Sequence, residues 1–164
     1  MNIEITPIAE TEKSVLRQLM ELYNYDFSEY TKEDVDTHGF YGYTYLDHYW
    51  TEETRKPFFI KVDGHLAGFV LVGRFCKYTA NTAAHSIQEF FVMRKYRGMD
   101  VGRFAAKYVF DFFKGEWEVR VLHENKPALP FWHKVIHEYT QGNHVFHGEA
   151  IPDWDGIGYT FHSV

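Results

Sequence analysis

Cys76 is the only cysteine in 164 residues, which excludes an internal disulfide and any cysteine-based metal cluster. No apolar stretch approaches the ~20 residues a membrane-crossing helix needs, so no membrane partner is expected. There is no excess of basic charge either. Seventeen Lys and Arg against 23 Asp and Glu leave a net charge of −6, a poor balance for generic nucleic-acid binding. The N-terminal MNIEITPIAE carries two acids and no basic apolar leader, so a cytoplasmic location is expected. Internal repeats, low-complexity tracts and linker-like segments are absent, and residues 1–164 are expected to form one domain.

Aromatic residues are abundant, at 19% of the chain, and argue against disorder. Residues 2–8 alternate like a short strand. Thr11 is a candidate helix cap, followed by a helical face of Val15, Leu16, Leu19, Met20 and Tyr23. Residues 24–56 are less regular and crowded with rings. Residues 57–62 and 65–73 flank Asp63-Gly64, a pair that supplies the positive φ angles of a tight hairpin turn. Residues 84–92 read as a further strand. Val101, Phe104, Ala105, Tyr108, Val109 and Phe112 recur at helical spacing, and Lys114-Gly115 ends that run. Trp117, Val119 and Val121 then alternate as a strand. The strand–helix–strand order implies a parallel pair joined by a right-handed crossover. Asn125 is placed to cap a last helix whose buried face is Ala128, Phe131, Trp132, Val135 and Ile136. Residues 143–150 and 156–163 close the chain as strands, so the fold class is mixed α/β.

The most informative stretch is Gln88–Arg103, QEFFVMRKYRGMDVGR. It runs from β-forming residues (Phe90, Phe91, Val92) through a basic loop holding Gly98 and Gly102 into the start of a helix. The first turn of a helix presents N–H groups without intrahelical partners, and its dipole favours an anion there. Arg94, Lys95, Arg97 and Arg103 add charge. The loop lacks the Gly-Lys-Ser/Thr ending of a nucleotide-binding P-loop and the three-glycine dinucleotide fingerprint.

This loop resembles the acyl-CoA-binding motif of the GNAT (Gcn5-related N-acetyltransferase) superfamily, Arg/Gln-x-x-Gly-x-Gly/Ala after an apolar-Val strand end. Arg97, Val101 and Gly102 fall in register, and Asp100 occupies the position of the first glycine. Asn125-x-x-Ala128-x-x-Phe131-Trp132 is similar to the family's Asn-x-x-Ala-x-x-apolar-Tyr segment, with Trp132 replacing the tyrosine. The similarity spans roughly residues 57–136. It implies the GNAT acyl-CoA N-acyltransferase fold, a mostly antiparallel mixed sheet of about six or seven strands flanked by about four helices. It implies acetyl-CoA as cosubstrate, coenzyme A as product and direct transfer of acetyl to a primary amine. By this resemblance Phe91, Val92 and Met93 would pair with the pantetheine arm. Residues Gly98, Met99, Asp100, Val101, Gly102 and Arg103 would cradle the pyrophosphate, with Arg97 adding charge, and Asn125, Phe131 and Trp132 would border the far side. Glu89 is the implied general base and contacts the acceptor. Tyr25, Tyr30 and Tyr41 are expected to line the acceptor pocket. Histidines 123 and 133, a pocket tyrosine and solvent all remain open as the proton source for the leaving thiolate.

The expected partner is a small-molecule amine, with a homodimer as one form of assembly. The alternatives are a non-catalytic acyl-CoA-sensing module and an interaction domain whose basic loop binds an acidic partner. His133 and His137 stand one turn apart, and His144-x-x-His147 follows. Lys134 occupies the glutamate position of a zinc protease, and no acid or cysteine sits at ligand spacing, so no metal is expected.

Overall fold

The computed structural model describes residues 1–164. Seven strands are hydrogen-bonded in the order β1-β2-β3-β4-β5-β7-β6. They are β1 (Ile3–Pro7), β2 (Lys56–Val62), β3 (His65–Gly73), β4 (His85–Val92), β5 (Glu116–Leu122), β6 (Val145–His147) and β7 (Gly156–His162). The helices are α1 (Lys13–Thr31), α2 (His48–Thr51), α3 (Val101–Phe112) and α4 (Ala128–Thr140). The β1–β2, β5–β7 and β6–β7 ladders are antiparallel, while β4 and β5 pair in parallel. This is the mixed, mostly antiparallel sheet expected from the sequence. The residues fall into two compact units: 1–71 with 89–101, and 72–88 with 102–164.

In the first unit, β2 and β3 meet at Asp63 (φ 49°) and Gly64 (φ 81°), the two positive-φ residues that a tight primed turn requires. Asp63 also accepts the Asn2 N–H at 2.8 Å, tying β1 to the turn. Gly68 is required by close approach, because a Cβ there would lie 1.9 Å from the Phe91 carbonyl oxygen. The core joins Leu16, Leu19 and Met20 of α1 to Phe59, Phe69, Leu71 and Phe91 of the strands. Burying each large side chain contributes about 1.5–3 kcal/mol.

Two expectations change here. Thr11 is not the helix cap: residues 10–12 form one 3-10 turn, and the Glu12 carboxylate accepts the Ala9 N–H at 3.2 Å. The helix also continues to Thr31, enclosing Tyr25, Phe27 and Tyr30, which the irregular reading of residues 24–56 left outside it.

In the second unit, Phe110 packs against Trp117, Tyr139 and Phe161 at centroid distances of 5.0, 5.2 and 4.9 Å. The buried face of α3 is therefore turned from the expected one. Ala105, Ala106, Val109 and Phe110 are buried, whereas Phe104 and Phe112 are exposed. Helix α4 buries Trp132, Val135, Ile136, Tyr139 and Thr140, so Ala128 and Phe131 lie at the margin of its seam. Asn125 does not cap α4 with its side chain. Its carbonyl accepts the Ala128 N–H at 3.1 Å, and Pro127 holds the cap position. The polar face of β5 hides a fully buried Glu118, whose carboxylate accepts the N–H groups of Lys77, Tyr78 and Thr79 at 2.7, 2.7 and 2.9 Å. Arg120 pairs with it and donates to the Phe75 carbonyl. One carboxylate thus folds the loop between β3 and β4.

Candidate active site

Alternate residues of a strand share a face, and Glu89 and Phe91 of β4 both meet Tyr23 of α1. The Tyr23 hydroxyl donates to Glu89 Oε2 at 2.6 Å. The Tyr23 ring lies against Phe69, Phe91 and Phe27 at 5.5, 5.6 and 5.9 Å. Burial, then the Glu89 charge and this hydrogen bond, raise the Tyr23 phenol well above its ordinary pKa. Tyr23 is therefore a standing donor that fixes one carboxylate oxygen. Tyr43 is raised in the same sense, by burial first and by Glu89 second. Tyr49 is 3% exposed, and burial first raises its phenol above the ordinary pKa. Arg55 lies 5.5 Å over the Tyr45 and Tyr49 ring faces and bonds Glu52 at 2.8 Å.

Tyr43 also forms one wall of a cleft of about 230 Å³, together with Arg17, Met20, Glu21, Phe40 and Leu46. The Glu21 carboxylate receives the backbone N–H groups of Tyr41 and Gly42 at 2.8 and 2.9 Å, closing the loop after α1.

Beyond β4 the chain makes one 3-10 turn, Arg94–Tyr96, and then passes through Gly98 (φ 73°) and Asp100 (φ 62°) into α3. Asp100 adopts the left-handed angle that glycine would supply, as Asp does more readily than most residues. Asp26 of α1 binds two arginines of this segment, Arg94 at 2.7 Å and Arg97 at 2.5 Å. Burial would raise the Asp26 carboxyl, but hydrogen bonds from Arg97 and Arg94 outweigh it and hold the group below the usual range. Arg97 Nε also donates to the Val92 carbonyl at 2.8 Å, and the Met93 N–H donates to the Ala67 carbonyl at 2.8 Å. The arginine expected to add charge at the phosphates is thus also a brace between β4, the loop and α1.

Gly102, Arg103, Asn125, Phe131 and Trp132 belong to the second unit. Arg103 pairs with Glu138 of α4 at 2.9 Å. Trp132 is buried, with Phe131 packed edge-on at 5.0 Å. Tyr25 is 68% exposed, Tyr30 packs on Phe27 at 6.0 Å, and Tyr41 contributes its backbone N–H to Glu21. The ring that touches Glu89 is Tyr23, with Phe91 packed against it at 5.6 Å. Tyr23 reads as a core position from its helical spacing, and its hydroxyl contact across 66 residues has no local signal.

A strand carboxylate held by a tyrosine precedes a left-handed loop that opens a helix. The family model described as Acetyltransferase (GNAT) family matches residues 16–137. The chain belongs to the GNAT acetyltransferase family. Among solved structures, an acetyltransferase from Thermus thermophilus superposes with TM-score 0.71 at 13% identity, over 99% of this chain and 97% of that one. A spermidine N-acetyltransferase from Vibrio cholerae, solved with CoA and spermine, gives 0.65 at 12% identity, over 98% and 95%. The aminoglycoside acetyltransferase AAC(6')-Ib, solved with coenzyme A and kanamycin, gives 0.69 at 9% identity, also over 98% and 95%. No curated protein matches by sequence. In this GNAT chain, Asp100 holds a left-handed backbone angle at the position expected for the first glycine, and Trp132 is a buried indole.

Proposed function

We propose that this protein transfers an acetyl group from acetyl-CoA to the primary amine of a small molecule, directly, within a ternary complex. The observation that carries the reading is the Glu89 carboxylate, oriented by Tyr23 at 2.6 Å on the strand that leads into the loop. The spermidine and aminoglycoside enzymes with the same fold, solved with CoA, support the cosubstrate and the acceptor class.

The residues fit the cosubstrate. Two left-handed residues, Gly98 and Asp100, lead the backbone into α3, and the first-turn N–H groups of that helix suit a phosphate. Arg97 supplies positive charge, with Asp26 setting its position. On the acceptor side, an ammonium group gives its proton to Glu89. The freed amine attacks the thioester carbonyl carbon, forming the C–N bond as the carbonyl electrons move to oxygen. Collapse of that oxyanion breaks the C–S bond, the attacking nitrogen sheds its surplus proton to solvent to leave the neutral amide, and the thiolate takes a proton from solvent. Trp132 holds only an indole N–H, which cannot supply that proton. The second reading, a non-catalytic acyl-CoA sensor, is favoured by Asp100 and Trp132 at two motif positions.

Release of free CoA thiol in the presence of an amine panel separates the two readings. Wild-type protein is expected to turn over at least one amine. Glu89→Gln is expected to lower kcat about 10²–10⁴-fold while acetyl-CoA affinity, read by calorimetry, stays within about twofold. Acetyl-CoA binding with no turnover of any amine would overturn the catalytic reading.

A further inference from the structure

The cleft bordered by Tyr43 has an unusual balance of partners. Asp47 is bound by Lys13 at 2.8 Å. Glu21 is held by two backbone N–H groups. Both carboxylates of the cleft are thus occupied inside the fold. The cation beside them, Arg17, is exposed on α1 one turn before Glu21 and lines the cleft, where its charge adds to that of Lys13 in lowering the Asp47 carboxyl. Phe40, Met20 and Leu46 give the cleft an apolar wall. A guanidinium offers a planar fork of donors that matches a carboxylate or a phosphate.

We propose that this cleft is an acceptor subsite for an oxyanion, so that the substrate is an amine that also carries a carboxylate or phosphate. The inference rests on the acetyl-transfer reading above. Helix α1 links the two ends: Met20 lines the cleft, and Tyr23, one turn further along the same helix, holds Glu89 through its hydroxyl. The amine end would sit at Glu89 and the anionic end at Arg17. A cleft of about 230 Å³ holds an acceptor of a few to about a dozen heavy atoms. A chain of fixed ammonium groups would instead meet Arg17 with both carboxylates already occupied.

The test is a matched series of straight-chain primary amines, three to six carbons long. Each ends in methyl, hydroxyl, carboxylate, phosphonate or a second ammonium. At the best length, the carboxylate or phosphonate compound is expected to exceed the methyl compound in kcat/KM by roughly tenfold, mostly through KM. Which of the two anions leads identifies the source. Arg17→Gln is expected to bring the anion-to-methyl ratio within about twofold, and Arg17→Lys to retain part of it. Calorimetric binding of the same compounds is run beside turnover. Arg17-dependent binding of the anionic amines without turnover would uphold the subsite and sink the acetyl-transfer reading. Turnover that favours methyl or ammonium ends, or an anion preference that survives Arg17→Gln, would overturn the subsite and leave acetyl transfer standing.

Discussion

At the scale of single residues, Asp100 combines two effects of opposite kind. Its φ of 62° lies in the left-handed region, where an L-residue costs roughly 1–2 kcal/mol and Asp somewhat less. Replacement by glycine relieves that strain but adds chain entropy of about 0.5–1 kcal/mol to the unfolded state. The net change in stability of Asp100→Gly is therefore small, and the melting temperature is expected to move by only about a degree or two. Cosubstrate binding should respond more. A carboxylate beside a phosphate at ~4 Å opposes it by up to ~4 kcal/mol before screening. Acetyl-CoA is expected to bind Asp100→Gly roughly tenfold more tightly at low salt, with the gain shrinking as salt is added. Calorimetry at two ionic strengths checks this, and an unchanged affinity would show that the carboxylate does not face the phosphates. The replacement of glycine and the tolerance of Asp for the turn are both legible in the residues. The double tether of Asp26 to Arg94 and Arg97 is not, because it joins a helix to a loop some seventy residues away.

At the scale of elements, legibility follows the locality of the signal. The hairpin at Asp63-Gly64 is encoded by two adjacent residues, and it forms where expected. The face of α3 is set by what packs against it. Phe104 and Phe112 satisfy the helical period yet stay exposed, because Trp117, Tyr139 and Phe161 converge on Phe110. Helix α4 and the loop after it carry a feature that spacing only hints at. The rings of His133, His137 and His144 stand 5.9–6.1 Å apart, and His133 Nδ1 lies 3.2 Å from the Tyr159 hydroxyl. Burial first, then the charges of His133 and His137, lower the pKa of His144 from 6.5. The folded state thus binds fewer protons than the unfolded chain as pH falls below about 6.5. Stability from this group is complete above that value and is lost as the pH drops towards the folded pKa. The melting temperature is expected to fall between pH 7 and 5, and His144→Gln to reduce that fall by about a degree or two after allowance for solvent screening. Parallel pH profiles for wild type and variant would refute the assignment.

At the scale of the whole molecule, the order of strands is the feature least available from sequence. The chain reads as a meander, then strand–helix–strand, then two terminal strands, but β7 lies between β5 and β6. The seven-pair register from Glu116↔His162 to Leu122↔Gly156 needs Gly156, where a Cβ would meet the Val121 carbonyl oxygen at 2.1 Å. A glycine requirement of that kind appears only once the partner strand is in place. The resemblance to the family motif, by contrast, is legible in residues 88–103 because what it rests on is local: backbone angles, helix N–H groups and nearby cations. Local chemistry of this sort has a global readout. A ligand that binds the native state alone stabilises it by about 2.7 kcal/mol at a hundred times its Kd. For a chain of this size that raises the melting temperature by roughly 5–10 °C. Acetyl-CoA at such an excess is expected to produce that shift, and ATP at the same concentration to give less than about 2 °C, since both carry phosphates and only one carries the pantetheine arm. Equal shifts would mean that the loop recognises polyanions in general. The assignment of Phe91, Val92 and Met93 to the pantetheine would then fall.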